Sequence, residues 1–282
     1  MKFVNVGEHS WACVGEGDDV LHSYGANQGF LTGDDTCLVI DSGFHYRTAG
    51  QVLSRIQKLG SKRLILLDTH YHSDHVFGNG LFAEKGAAVL AHEKCRRRMQ
   101  RQSPRLLSRY RSRHSRLSKL LQNVRVSLPS ITYKDKLSAF LSDSIEAEIV
   151  HPEGRAHTDG DSMVYVPEDR VVFSGDILWV DYHPNLEDAD VKGQIRALRT
   201  ILRWNPRRVV PGHGPVCGLQ EVKRFLRYLE EFESNCEKAR KESLGIEEAL
   251  PRVLPSFSKD WKMRGMAEAH IRKIWKKSLK SR

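Results

Sequence analysis

The chain has no run approaching the roughly 20 apolar residues that crossing a bilayer requires, so no membrane span is expected. Its opening stretch, MKFVNVGEHS, lacks an apolar core followed by a small-residue cleavage site, so no secretory signal is expected either. No C-x-x-C pair occurs among Cys13, Cys37, Cys95, Cys217 and Cys236. Scattered thiols, odd in number, suit neither a disulfide framework nor a thiolate zinc site, and point to a reducing, cytoplasmic setting. Short-period repeats and low-complexity linkers are missing as well. The 282 residues are therefore expected to form a single domain with a sizeable core, its two similar α/β halves meeting near residue 145.

Acidic residues are missing from one long segment. Between Lys94 and Arg125 there are 12 Lys or Arg and no Asp or Glu, and outside it 33 basic residues face 35 acidic ones. A second surplus, 9 basic against 2 acidic, lies in Lys259 to Arg282. The net charge of +10 therefore belongs to two local segments, which argues against a general nucleic-acid binder. Arg96, Arg97, Arg98, Arg101, Arg105, Arg109, Arg111 and Arg113 are expected either to draw in an anionic substrate or to form a solvated helix face.

What is present reads as alternating strands and helices. Short Val- and Ile-rich runs at Cys37 to Asp41, Arg63 to Asp68, Ala87 to Ala91, Ser162 to Val166, Val171 to Phe173 and Arg208 to Pro211 predict buried strands. Helical spacing appears in Tyr46 to Leu59, Val191 to Trp204, Leu219 to Glu242 and about Ser258 to Lys280. A basic helical insertion spans about 93–125, with a break expected at Ser103-Pro104, and a helical C-terminal segment spans about 219–282. Ile131 to Val150 reads as an antiparallel meander.

The chemistry concentrates in Thr69-His70-Tyr71-His72-Ser73-Asp74-His75, directly after a predicted strand. Three imidazoles and a carboxylate so close together are hard to explain as packing. His70 and His72, at i and i+2 on extended chain, point the same way and can reach one metal ion. Asp74 and His75 follow a turn and can face a second ion. His157, Asp176 and His213 each lie just past a predicted strand end or in a turn-rich loop, where α/β folds place their sites. Asp41 repeats the pattern and is expected to hydrogen-bond the metal loop from behind.

The strings HYHSDH, GRAHTDGD, FSGD and PGHG, in this order with Asp41 upstream, resemble the motifs of the metallo-β-lactamase superfamily from about Asn27 to Gly218. The resemblance implies an αββα sandwich, two mixed sheets flanked by helices, with metals at one edge of both sheets. It implies that His70, His72 and His157 hold a first divalent ion, that Asp74, His75 and His213 hold a second, and that Asp176 bridges them. Zinc is the expected metal, with iron or manganese as alternatives. An Asp at the bridging position sets the chain apart from true β-lactamases, and an intact His72 from the diiron, oxygen-reducing branch. The wording DHVFGN, HP-N-L-DAD and VVPGHGPV is most similar to glyoxalase II-like hydrolases, and among them to proteins of sulfur oxidation and quinoprotein relay.

Two ions sharing a hydroxide would lower its pKa toward neutrality and polarise a substrate carbonyl or phosphoryl oxygen. Asp74 would orient that nucleophile and carry a proton to the leaving group. Tyr71, Tyr182 and His183 are candidates for contacting a developing oxyanion. The expected activity is metal-dependent hydrolysis of a small, anionic, ester-like substrate: a thioester, lactone or other acyl compound. The alternatives are a nuclease similar to ribonuclease Z, a mononuclear iron enzyme similar to persulfide dioxygenases, and a metal-binding scaffold without turnover.

Overall fold

The computed structural model describes residues 1–60, 63–113 and 115–279. Two β-sheets lie face to face. The first contains β1 (Lys2–Asn5), β2 (Ser10–Val14), β3 (Gln28–Thr32), β4 (Thr36–Ile40), β5 (Arg63–Asp68), β6 (Ala88–His92) and β7 (Ile131–Tyr133), in sequence order across the sheet. β1 to β4 pair antiparallel, and β4 to β7 pair parallel. The second sheet holds β8 (Lys136–Ser142), β9 (Ile145–Val150), β10 (Met163–Val166), β11 (Val171–Trp179) and β12 (Arg208–His213). Here β8 to β11 pair antiparallel and β12 joins β11 in parallel. Both sheets are mixed, as expected.

The inner faces of both sheets supply one core, in which Leu31, Leu38 and Leu67 meet Ile149, Val164 and Phe173. Helices cover the outer faces. On the first sheet α1 (Tyr46–Lys58) buries Ala49, Val52, Leu53 and Ile56 beneath β3, β4 and β5. The short helices α2 (Ser73–Val76) and α3 (Asn79–Glu84) follow β5. On the second sheet α6 (Val191–Trp204) and α7 (Leu219–Lys241) pack against Met163, Val172 and Val209. α8 (Ile246–Val253) and α9 (Arg264–Leu279) complete that layer. The result is the expected αββα layering. Residues 280–282, where the last predicted helix ends, lie outside the described residues.

Three expectations about local structure are corrected. The helix starting at Glu93, α4 (Glu93–Arg113), runs straight through Pro104, and α5 (Ser115–Leu121) follows it. A proline inside a helix costs about 3 kcal/mol through its missing N–H and ring clash. Here Cys95, Met99, Ser103 and Leu107, at i, i+4, i+8 and i+12, bury a continuous stripe that outweighs that cost. The predicted meander is divided: β7 closes the first sheet in parallel with β6, and only β8 and β9 form a hairpin. The sheets therefore change over between Tyr133 and Lys136, not near residue 145. β11 extends to Trp179, six residues past the predicted end at Phe173. Among the described residues no helix is long and apolar enough to cross a membrane.

Candidate metal centre

β5 delivers the histidine-rich loop. Its last residues are fully buried between sheet and helices, and the chain leaves it at Thr69. Asp41, just past β4, ties this exit down: its Oδ1 accepts from the Thr69 N–H at 2.7 Å and its Oδ2 from the Thr69 hydroxyl at 2.8 Å. Asp41 Oδ2 also lies 2.8 Å from His75 Nδ1, as expected for a carboxylate behind the loop. Thr69 Oγ1 stands 3.1 Å from His70 Nδ1. With those Nδ1 atoms engaged, both rings present Nε2 to the interior.

Asp176 reaches the same place by a different device. The β11–β12 register shifts on both sides of Gly175, whose φ is +50. Such a bulge re-aims the following side chain, and the Asp176 carbonyl is then fixed by Trp179 Nε1 at 2.9 Å and Gln194 Nε2 at 3.0 Å. Gly212 on β12 has to be glycine, since a Cβ there would lie 1.9 Å from Asp176 Oδ1. His213 follows at the end of β12. Its Nδ1 is 2.9 Å from the Tyr24 carbonyl, and its ring stacks on Trp179 at 3.9 Å between centroids. His157 sits in a loop shaped by Asp161, which accepts from the Thr158 amide and hydroxyl.

These residues converge into two adjoining groups. His70, His72, His157 and Asp176 form one, and Asp74, His75 and His213 the other, each with its ligand atoms within 4.8 Å of one another. In the first, His72 Nδ1 is 3.0 Å from both His70 Nε2 and His157 Nε2, and Asp176 Oδ2 lies 3.5 and 3.3 Å from the same two Nε2 atoms. In the second, Asp74 Oδ2 is 3.7 Å from His75 Nε2 and 3.4 Å from His213 Nε2. Asp176 Oδ1 faces those nitrogens at 3.2 and 3.5 Å.

The donor set fits divalent metal ions. Tetrahedral bonds of 2.0–2.1 Å give ligand–ligand edges of about 3.3–3.4 Å, close to the separations found. His75 Nε2, His213 Nε2 and Asp176 Oδ1 are buried without a hydrogen-bond partner among the described residues, a costly arrangement unless a cation completes it. Nitrogen and carboxylate donors without thiolate suit zinc, manganese or iron.

The electrostatics divide the histidines. Burial pushes His70 well below the usual imidazole range and His157 down to about 3, keeping both neutral and ready as ligands. Burial opposes the cationic form of His213 too, but Asp176 and Asp74 outweigh it and raise its pKa to about 9. Asp176 itself, despite burial, is held well below the carboxylate range by His213, His75 and His70. A cluster of carboxylates strong enough to charge a buried histidine is one that attracts cations.

A cavity of about 370 Å3 opens onto the two groups. His72, Asp74, Asp176 and His213 reach it from the strand-end loops, together with Tyr71 and Trp179. Tyr71 therefore lines the cavity, its hydroxyl donating to Asp188. Tyr182 and His183 do not. Tyr182 stands behind His213, ring centroids 6.0 Å apart, with its hydroxyl on the Gly17 carbonyl. His183 is wholly buried against Tyr228, 2.9 Å from its hydroxyl, and Trp261. The loop after β11 turns these two side chains inward, and it is Asp188, five residues further on, that returns to the site.

Asp188 was not singled out from the sequence, nor were Asp68, Tyr24 and the α9 residues that line the cavity. Asp188 Oδ2 lies 3.8 Å from His72 Nε2, and His72, Tyr71 and Arg98 hold its carboxyl well below the usual range. Its position in the run His183 to Asp190 was the available signal. Asp68 is buried under the loop and accepts from Asn79 Nδ2 at 2.8 Å. Nothing in the sequence distinguishes it from other strand-end aspartates.

A two-sheet αββα fold carrying paired His/Asp groups at the ends of its strands defines a class of metal-binding proteins. The sequence model of the metallo-beta-lactamase superfamily matches residues 24–213, and the chain belongs to that superfamily, whose members are mostly metal-dependent hydrolases. Solved structures agree on the fold. A metallo-beta-lactamase from Pontibacter korlensis superposes with a TM-score of 0.64 at 19% identity, over 81% of this chain and 98% of the other. DIM-1 metallo-beta-lactamase exposed to ceftazidime superposes with a TM-score of 0.61 at 18% identity, over 81% and 96%.

Proposed function

We propose that the chain is a binuclear metal-dependent hydrolase of small ester-like substrates, thioesters, lactones or other acyl compounds. The observation that carries this reading is Asp176, whose two carboxylate oxygens each face a different ligand group. His70, His72 and His157 would hold one ion, Asp74, His75 and His213 the other, and Asp176 both. Bound there, the ions, zinc in the first place, would supply Lewis-acid polarisation of the scissile carbonyl and an activated water.

The chain's own groups do the rest. Thr69, Asp41 and the Tyr24 carbonyl hold the imidazoles in fixed tautomers, so the ligand set need not reorganise. Asp74 is the most exposed carboxylate of the ligand set, its side chain 12% accessible against 2% for Asp176. It reaches the cavity, where a carboxylate can hold the attacking water and return its proton to the leaving group. Trp179 covers the far side of His213 and excludes water there.

Within the superfamily the motifs favour the glyoxalase II-like branch, and its sulfur-oxidation and quinoprotein-relay members in particular. A small acyl substrate is favoured over a polynucleotide because four arginines of the basic segment are engaged within the chain. Arg97 pairs with Glu93 and Arg98 with Asp159, while Arg96 and Arg111 donate to main-chain carbonyls. Five cysteines, an odd number and all of them buried, suit a reducing cytoplasmic setting. Turnover of a panel of thioesters, lactones, phosphodiesters and tRNA precursors, with and without chelator, tests the reading. Metal-dependent turnover confined to acyl substrates supports it; RNA cleavage at a defined position, abolished in His72→Ala, would replace it with a nuclease.

A further inference from the structure

Two helices outside the strand-end loops build the outer part of the cavity. α4 turns Gln102, Leu106 and Arg109 toward it, at i, i+4 and i+7, a wall about 10 Å long along the helix. α9 is wedged into the core by Ala267, Ile271 and Trp275, which leaves Met266, and Met263 just before the helix, on the cavity side. The outer wall is thus mixed: Gln102 and His270 stand beside an apolar patch in which Leu106 faces the same space as two flexible methionines, with a cationic group at Arg109. Among the described residues no carboxylate pairs with the Arg109 guanidinium, while four other arginines of α4 have partners within the chain. The guanidinium is exposed, lines the cavity and has its fork of donors available.

We infer that the site takes an acyl compound with two unlike ends: a reactive ester or thioester carbonyl at the His/Asp groups and a terminal carboxylate held by Arg109. Between them runs an apolar stretch of methylenes against Leu106, Met263 and Met266. The first end rests on the hydrolase reading; the second rests on the outer wall alone. A guanidinium recognises a carboxylate through two parallel hydrogen bonds, and methionine adapts its shape to an unbranched chain. A cavity of this size falls in the range of small-molecule sites. Leu106 and Arg109, three positions apart on one helix face, give the chain and its carboxylate adjacent holds.

The test is calorimetric binding of unbranched monocarboxylates and α,ω-dicarboxylates of matched length, hexanoate against adipate and octanoate against suberate, to the metal-loaded full chain. The dicarboxylate should bind about tenfold tighter than its monocarboxylate partner, as a charge-assisted contact provides. Arg109→Gln should abolish that preference. Arg105→Gln, which removes one charge from the same helix at an exposed position, should preserve it. Met266→Ser should flatten the gain with chain length, which burial sets at up to roughly fourfold per methylene. Equal binding of the two series, or a preference that survives Arg109→Gln or is lost equally in Arg105→Gln, overturns the inference. The assay needs no turnover, so a failure of the hydrolase reading would show separately in the substrate panel.

Discussion

His75 Nδ1 lies 2.8 Å from Asp41 Oδ2, and Asp41 occupies a left-handed backbone conformation with φ of +60. A single residue thus fixes the imidazole's tautomer and, through its other oxygen, the Thr69 amide at the start of the ligand loop. Asn also tolerates that conformation, so Asp41→Asn isolates the carboxylate from the turn. It should weaken the metal that Asp74, His75 and His213 would hold about 10- to 100-fold, the usual effect of losing a hydrogen-bond partner behind a ligand. The first group, reached through Thr69, should lose less. Chelator competition on wild type and variant measures both, and unchanged affinities would reduce Asp41 to a turn residue.

Asp188 should act on the other group. Its carboxylate accepts from Tyr71 and faces His72 Nε2, the nitrogen opposite the one directed at His70 and His157. Asp188→Asn should weaken the first metal about tenfold while sparing the second. Tyr71→Phe, which leaves the carboxylate in place, should do less. Equal losses at both metals would show a general loosening of the loop.

His183 gives the fold an acid-sensitive point away from the metals. Burial, reinforced by the Arg264 charge, lowers its pKa to about 4. Below pH 6.5 the unfolded chain takes up a proton that the folded chain refuses until about pH 4, so stability falls as pH drops through that window. Thermal melts of wild type and His183→Gln from pH 7 to pH 4 check it. The variant should lose less stability across that range, and parallel curves would remove His183 from the account.

The His/Asp cluster was legible because three histidines and an aspartate in six residues have no packing explanation, and because His157, Asp176 and His213 fall where strands end. Strand β5 and helix α6 were legible too, since their apolar runs and periodicity are local properties. What escaped depends on tertiary contacts. β1, β2 and β3 are short and mix polar with apolar residues, and only pairing within the sheet makes them strands. Pro104 reads as a breaker until the buried stripe of Cys95, Met99, Ser103 and Leu107 is seen to hold the helix together. Tyr182 and His183 follow the Asp176 strand and looked like pocket residues, yet the loop buries them and brings back Asp188. The cavity face of α9 was hidden because the helix has two occupied sides, one in the core and one over the site.

Metal content tests the central claim most directly. Protein loaded with zinc or manganese and freed of excess should carry about two ions per chain, His70→Ala about one and His213→Ala about one, each variant losing the ion of its own group. Asp176→Ala, which removes the carboxylate shared by both groups, should lower both affinities. It should also cut turnover by about a hundredfold or more, with less effect on folding. A wild-type content that stays near one ion under saturating metal would contradict the account.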